Sequence, residues 1–239
     1  MSSAVTGKAL VGVSACLLGE EVRYNGAHKL DDFICGELAR VVDLRPVCPE
    51  VDIGLGVPRE PIQLTRSENG TRLVAVESGT DLTAAMESYA EAKVRELDAA
   101  GICGYVLKAR SPSCGLGSVP LDGAGAGDGL FAATLRKLGG RLPTTEETNL
   151  EEAADREAFL ARVLAYRRLR GLFDGGWKAA DLVKHHTRLN PDPTFFQVHF
   201  KDAVHVPRAV HNDTIGQGLA VCSSSSSAGR QFYPLETPV

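Results

Sequence analysis

The chain has 239 residues, enough for one sizeable domain and a smaller appendage, and its 44% hydrophobic share is that of an ordinary globular core. A net charge of −4 and a pI near 5.9 exclude a broad basic field for DNA, although one local cationic pocket remains open to a nucleobase or nucleotide. Met1 to Lys8 lacks the charged segment and apolar core of a signal peptide, and no run is long enough to span a bilayer, so a cytoplasmic protein without membrane binding is expected. In that compartment six cysteines point to metal or reactive chemistry more than to disulfides.

Residues 1–8 read as a leader. A first strand covers Leu10 to Ser14, with Cys16 leaving it, and Gly19 to Gly26 reads as a loop. Leu30, Phe33, Ile34, Leu38 and Val41 recur at helical spacing, which predicts a helix from Lys29 to Val41 with Cys35 as a structural residue inside it. A second strand, Leu44 to Val47, ends at Cys48-Pro49-Glu50, where proline removes a backbone donor. Ile62 to Thr65, Asn69-Gly70 and Arg72 to Val76 predict a peripheral hairpin with its tight turn at Asn-Gly. Thr80 or Asp81 then caps a long helix that lays Leu82, Met86, Tyr89, Lys93 and Leu97 on one side and ends at Gly101.

Gly104 to Leu107 is the third buried strand, begun by Cys103, for which a structural role is expected at the far edge from Cys114. Lys108-Ala109-Arg110 leads into Ser111-Pro112-Ser113-Cys114-Gly115. Gly115 to Gly129 fits neither G-x-G-x-x-G nor a P-loop and reads as a surface loop. A helix to Leu138, a short edge strand Arg141 to Thr144, and a charged helix Asn149 to Gly171 with Leu160, Val163, Leu164 and Leu169 on its apolar side follow. The expected fold is α/β: a mainly parallel, Rossmann-like or doubly wound sheet over residues 9–148 with helices on both faces. A helical extension over 149–189 and an irregular tail over 190–239, with its serine run and scattered histidines, complete the chain. His199, His205 and His211 fit no shared face, and His185 and His186 point apart, so no metal site is expected among them.

Three cysteines share one setting. Cys16, Cys48 and Cys114 each follow a buried strand, and open α/β sheets bind ligands outside the carboxyl ends of their strands. If the strands are parallel neighbours, the three thiols meet at one point. A single cysteine so placed is more often a small buried hydrophobe. Three together point to a metal centre, while Cys35, Cys103 and Cys222 lie elsewhere.

Ser14-Ala15-Cys16-Leu17-Leu18-Gly19, Val22-Arg23-Tyr24-Asn25-Gly26, Cys48-Pro49-Glu50, Pro58-Arg59 and Leu107-Lys108 with Ser111-Pro112-Ser113-Cys114-Gly115 together resemble, in order over about residues 9 to 148, a bacterial family once filed as a domain of unknown function. It includes the thiouracil desulfidases. Phe173 to Leu189 resembles the start of a helical domain often joined to that family, which implies a truncated second domain.

The resemblance implies a [4Fe–4S] cluster on Cys16, Cys48 and Cys114. A cluster that only transfers electrons usually has four cysteine ligands, so three leave one iron open. An open iron is a Lewis acid suited to a soft thiocarbonyl sulfur. The resemblance also implies catalytic roles for Glu50, two residues from Cys48, and Ser111, three before Cys114: the carboxylate exchanges protons with water or a ring nitrogen, and the hydroxyl holds substrate or sulfur. The implied reaction turns a thio-substituted nucleobase or nucleotide into its carbonyl counterpart plus hydrosulfide, with no net redox change and a possible sulfur acceptor. Arg23, Asn25, Arg59, Lys108 and Ser113 are further substrate-binding candidates, Arg23 or Lys108 for a phosphate. Two other readings stand beside this one: a zinc protein with a structural three-cysteine site completed by Glu50 or water, and a non-catalytic interaction module.

Overall fold

The computed structural model describes residues 7–68, 70–122, 125–174 and 178. Its centre is a four-stranded parallel sheet of β1 (Ala9–Ser14), β2 (Val42–Val47), β5 (Ile102–Leu107) and β8 (Thr144–Glu146), in the order β2-β1-β5-β8. β1 and β5, the two inner strands, are apolar and almost wholly buried, as strands covered on both faces must be. β2 is an edge strand and tolerates Pro46, which faces Val13 in the register.

Chain order reverses between β1 and β5: the chain leaves β1 toward β2 on one side, and β5 continues toward β8 on the other. Such a switch point opens a crevice above the strand ends. On one face Gly104 lets β5 meet Val163 and Phe159 of α5 (Ala153–Asp174); a Cβ on Gly104 would stand 2.6 Å from Val163. On the other face Tyr105 packs against Phe131 of α4 (Leu130–Leu138), which in turn meets Tyr89 of α3 (Thr83–Ala99). The antiparallel pair β3 (Ile62–Ser67) and β4 (Gly70–Ala75) sits beside this core. No helix among the described residues is long and apolar enough to cross a membrane.

Several boundaries differ from the sequence reading, each for a local reason. The first helix starts at residue 32, because Asp31 accepts from the Ile34 amide and Lys29 N is held by the Cys16 carbonyl. Its Ile34–Leu38 stretch is a π-helix, followed by α1 (Ala39–Val41); Ile34 and Leu38 are buried, while Val41 at the helix end and Leu30, ahead of the helix, are exposed. Ser67 pairs with Gly70, so the hairpin loop is residues 68–69, with Asn69 outside the described residues. Asp81 does accept from Thr83 N at the start of α3, whose buried side is Met86, Ala90, Val94 and Leu97.

β8 begins three residues later than the predicted edge strand. Pro143 offers only its carbonyl, to Tyr105 N at 2.8 Å, so the ladder continues from Thr144. α5 starts at Ala153 after a 3-10 turn, Glu147–Leu150, and buries Phe159, Tyr166 and Leu169 with Val163, leaving Leu164 exposed. The glycine-rich loop folds back as β6 (Val119–Pro120) and β7 (Ala126–Gly127). Gly123, Asn190 onward, the five histidines from His185 and Cys222 lie outside the described residues.

Candidate metal centre

The sheet delivers the three cysteines to the crevice. Cys16 lies in a 3-10 turn, Ala15–Leu18, directly after β1; Cys48 directly follows β2 and precedes α2 (Pro49–Asp52); Cys114 lies in the loop from β5 to α4. All three line a single cavity of about 480 Å³, together with Glu50, Ser111 and Arg23. Cys16 and Cys114 are buried and Cys48 is half-buried. Cys35 and Cys103 do not line this cavity; their sulfurs donate to the Leu17 and Gly101 carbonyls at 3.6 and 3.2 Å.

The loop that carries Cys114 is held from three sides. Ser111 Oγ accepts from Cys114 N at 3.1 Å and Ser113 N at 3.3 Å. The Pro112 and Ser113 carbonyls accept the first amides of α4, from Leu130, Phe131 and Ala132. Beyond Cys114, the buried Glu146 carboxylate accepts from Leu116 N at 2.6 Å and from the Ser118 hydroxyl. Gly129 is what allows the loop and helix to close: a Cβ there would stand 2.5 Å from the Ser113 carbonyl carbon and oxygen. Backbone atoms on both sides leave no flexible group to yield, so Gly129→Ala is expected to cost about 1–3 kcal/mol and to loosen the Cys114 loop. A thermal melt read beside the iron content of the reconstituted protein checks this; an unchanged melt contradicts it.

Burial, then the charge of Cys48, pushes the Cys16 thiol up to about 11, while Lys108 and Arg23 pull it back. Burial likewise raises Cys48, and raises Cys114 well above the ordinary thiol value. Without a cation these sulfurs hold their protons; a bound metal deprotonates coordinating thiols outright. Three soft donors around one cavity fit an iron–sulfur cluster. Among the described residues no group of three or more His, Cys, Asp or Glu side chains is placed to hold a single metal ion.

Glu50 stands in the cavity wall with both oxygens engaged. Oε2 accepts from Arg59 Nε at 3.1 Å and Nη2 at 2.5 Å; Oε1 accepts from Ser113 Oγ at 3.1 Å and Ser111 Oγ at 3.4 Å. Arg59 is spent on this: its side chain is 5% exposed, and Nη2 and Nη1 also donate to the Val22 and Gly56 carbonyls. Arg59 therefore fixes Glu50, and the fully buried Ser113 faces Glu50 outside the cavity lining. Lys108 lines the cavity but is paired with Glu147, whose other oxygen accepts from Ala109 N. Asn25 stands apart and closes its own turn, accepting from Ala27 N.

Sequence reasoning missed Tyr24, Lys29 and Arg110, which line the same cavity, and the two carboxylates Glu146 and Glu147 at the end of β8. Arg110 holds a left-handed φ of 60°, uncommon outside glycine, which only backbone geometry reveals. Arg23, Lys29 and Arg110 have no carboxylate partner among the described residues.

A model of the 2-thiouracil desulfurase family matches residues 11–147, more than half of the chain, and spans every residue named in this site. The chain belongs to that family. Its general activity is the family's, enzymatic desulfurisation. The Bacillus subtilis (strain 168) protein YbbK, whose name states no activity, is 33% identical over 156 residues, 59% of this chain and 98% of that one. The solved [4Fe–4S]-dependent thiouracil desulfidase TudS is 36% identical, with a TM-score of 0.52 over 63% of this chain and 99% of its own. That likeness agrees with the parallel α/β sheet found here.

Proposed function

We propose that this chain removes the sulfur of a thiocarbonyl from a thiouracil-type nucleobase, or from its nucleotide, giving the carbonyl product and hydrosulfide without net redox change. The observation that carries this is the joint lining of one cavity by Cys16, Cys48, Cys114, Glu50 and Ser111, in a chain similar to a [4Fe–4S]-dependent thiouracil desulfidase. Cys16, Cys48 and Cys114 would hold the cluster. When bound, it supplies an open iron that polarises the C=S group as a Lewis acid.

The chain's own groups do the remainder. Arg59 fixes Glu50 Oε2, so proton traffic runs through Oε1, which faces the hydroxyls of Ser111 and Ser113. Glu50 takes a proton from the attacking water and returns it to the departing sulfur, which leaves as hydrosulfide while the second water proton goes to solvent, with Ser111 Oγ close enough to orient the reacting group. Lys108, neutralised by Glu147, is a structural cation. Arg23, Lys29 and Arg110 surround the cavity with unbalanced positive charge, which suits the phosphate of a nucleotide. Hydrosulfide leaves free or passes to an acceptor, and the cytoplasm is the compartment proposed.

Anaerobic reconstitution with iron and sulfide, followed by loss of thiocarbonyl absorbance across 2- and 4-thiouracils and their nucleoside monophosphates, tests this reading. Turnover is expected, with a lower KM for the monophosphates. An iron-loaded protein that leaves every thiopyrimidine intact would overturn the reading.

A further inference from the structure

Residues 110–118 form a loop with Cys114 at its middle, and one hydroxyl closes it. Ser118 Oγ accepts from Arg110 N at 2.7 Å, which ties the end of the loop to its start. The same hydroxyl donates its one proton to Oε1 of Glu146. That oxygen also accepts from Leu116 N at 2.6 Å, two residues beyond Cys114. Glu146 is 5% exposed and ends β8, where it pairs with Leu107, the last residue of the strand that leads into the loop. One oxygen at the sheet edge thus fixes the loop on both sides of Cys114. Arg110 shows why a tie is needed: its φ of 60° is left-handed, a conformation that costs energy for residues other than glycine. The closure is also tight, since a Cβ on Gly115 would stand 3.1 Å from Ser118 Oγ and 2.4 Å from Val119 Cγ2. Neither Ser118 nor Glu146 lines the cavity, so both act on it through the loop.

We propose that Glu146 and Ser118 are positioning residues for the metal centre, a latch that holds the Cys114 loop in the form that receives the cluster. This rests on the three-cysteine cluster proposed above. A loop already ordered in the protein alone loses little freedom when the metal binds. An unlatched loop must be ordered by the metal itself, and the affinity falls by that cost.

Ser118→Ala removes the relay, and Glu146→Ala removes the acceptor. Glu146→Gln keeps a carbonyl oxygen that can accept from both Leu116 N and Ser118 Oγ. After anaerobic reconstitution with iron and sulfide, Ser118→Ala and Glu146→Ala should release iron to a chelator on the order of tenfold faster than the parent. Glu146→Gln should release it at the parent's rate. Val163→Ala, which weakens the core on the opposite face of the sheet from α4, should lower the melt and leave iron release unchanged. Before reconstitution, the Arg110 and Leu116 amides of the parent should resist hydrogen exchange, and Arg110 should lose that protection in Ser118→Ala. Parent-like iron release in both alanine variants overturns the proposal, as does a Glu146→Gln variant as fast as Glu146→Ala. Equally fast release from Val163→Ala reduces the latch to a stability effect and overturns it too. Unprotected Arg110 and Leu116 amides in the parent overturn it without any variant. A parent that takes up no iron and sulfide overturns the cluster reading itself, and this inference with it.

Discussion

Glu50→Gln leaves the iron content of the reconstituted protein unchanged and lowers desulfidation by about a hundredfold or more, the usual contribution of a positioned acid–base group. That loss corresponds to at least about 2.7 kcal/mol of transition-state stabilisation. The substitution is nearly isosteric, and the local contacts dictate how it sits. Arg59 offers only donors, so the amide turns its oxygen to Arg59 and its NH2 to Ser111 and Ser113. The acceptor at Oε1 and the negative charge are lost together, while Cys48, two residues away, keeps its place at the end of β2. Iron analysis and the initial rate of thiocarbonyl loss read the two effects separately. Full turnover by Glu50→Gln would pass the proton-transfer role to Ser111.

Cys16→Ser behaves differently: iron and activity vanish together. A hydroxyl is a hard donor and a poor substitute for thiolate toward iron in a sulfur-bridged cluster. Serine also keeps the shape of the 3-10 turn after β1, so the fold survives and the loss is one of ligation. Cys35→Ser is the matched control. Cys35 lies on the π-helix outside the cavity, its sulfur donating to the Leu17 carbonyl, so its replacement should leave iron content unchanged. Equal iron in Cys16→Ser and the parent would remove Cys16 from the ligand set.

The core of the fold was legible because β1 and β5 are continuous apolar runs, and a cysteine just beyond such a run has only the strand edge to occupy. The spacing of Glu50 from Cys48 and of Ser111 from Cys114 sets each side chain near one cysteine, and both line the same cavity. Partner choice was not legible, because it is settled by tertiary packing. Arg59 looked like a substrate residue, but the chain folds it back nine residues onto Glu50 and the Val22 carbonyl. Lys108 meets Glu147 only because β8 lies beside β5. Arg110 carries its signal in a backbone angle, which composition and periodicity do not encode. Helix and strand starts moved where a single side chain or a missing amide decides them, as at Asp31 and Pro143.

On the proposed mechanism the chain exchanges a thiocarbonyl sulfur for oxygen from water on a three-cysteine cluster. Its most direct test is the mass of the product formed by the anaerobically reconstituted chain from thiouracil in 18O-labelled water, without added reductant. The expected product is uracil carrying one 18O in place of the sulfur. Unlabelled uracil, or no product until a reductant or oxidant is supplied, would contradict it.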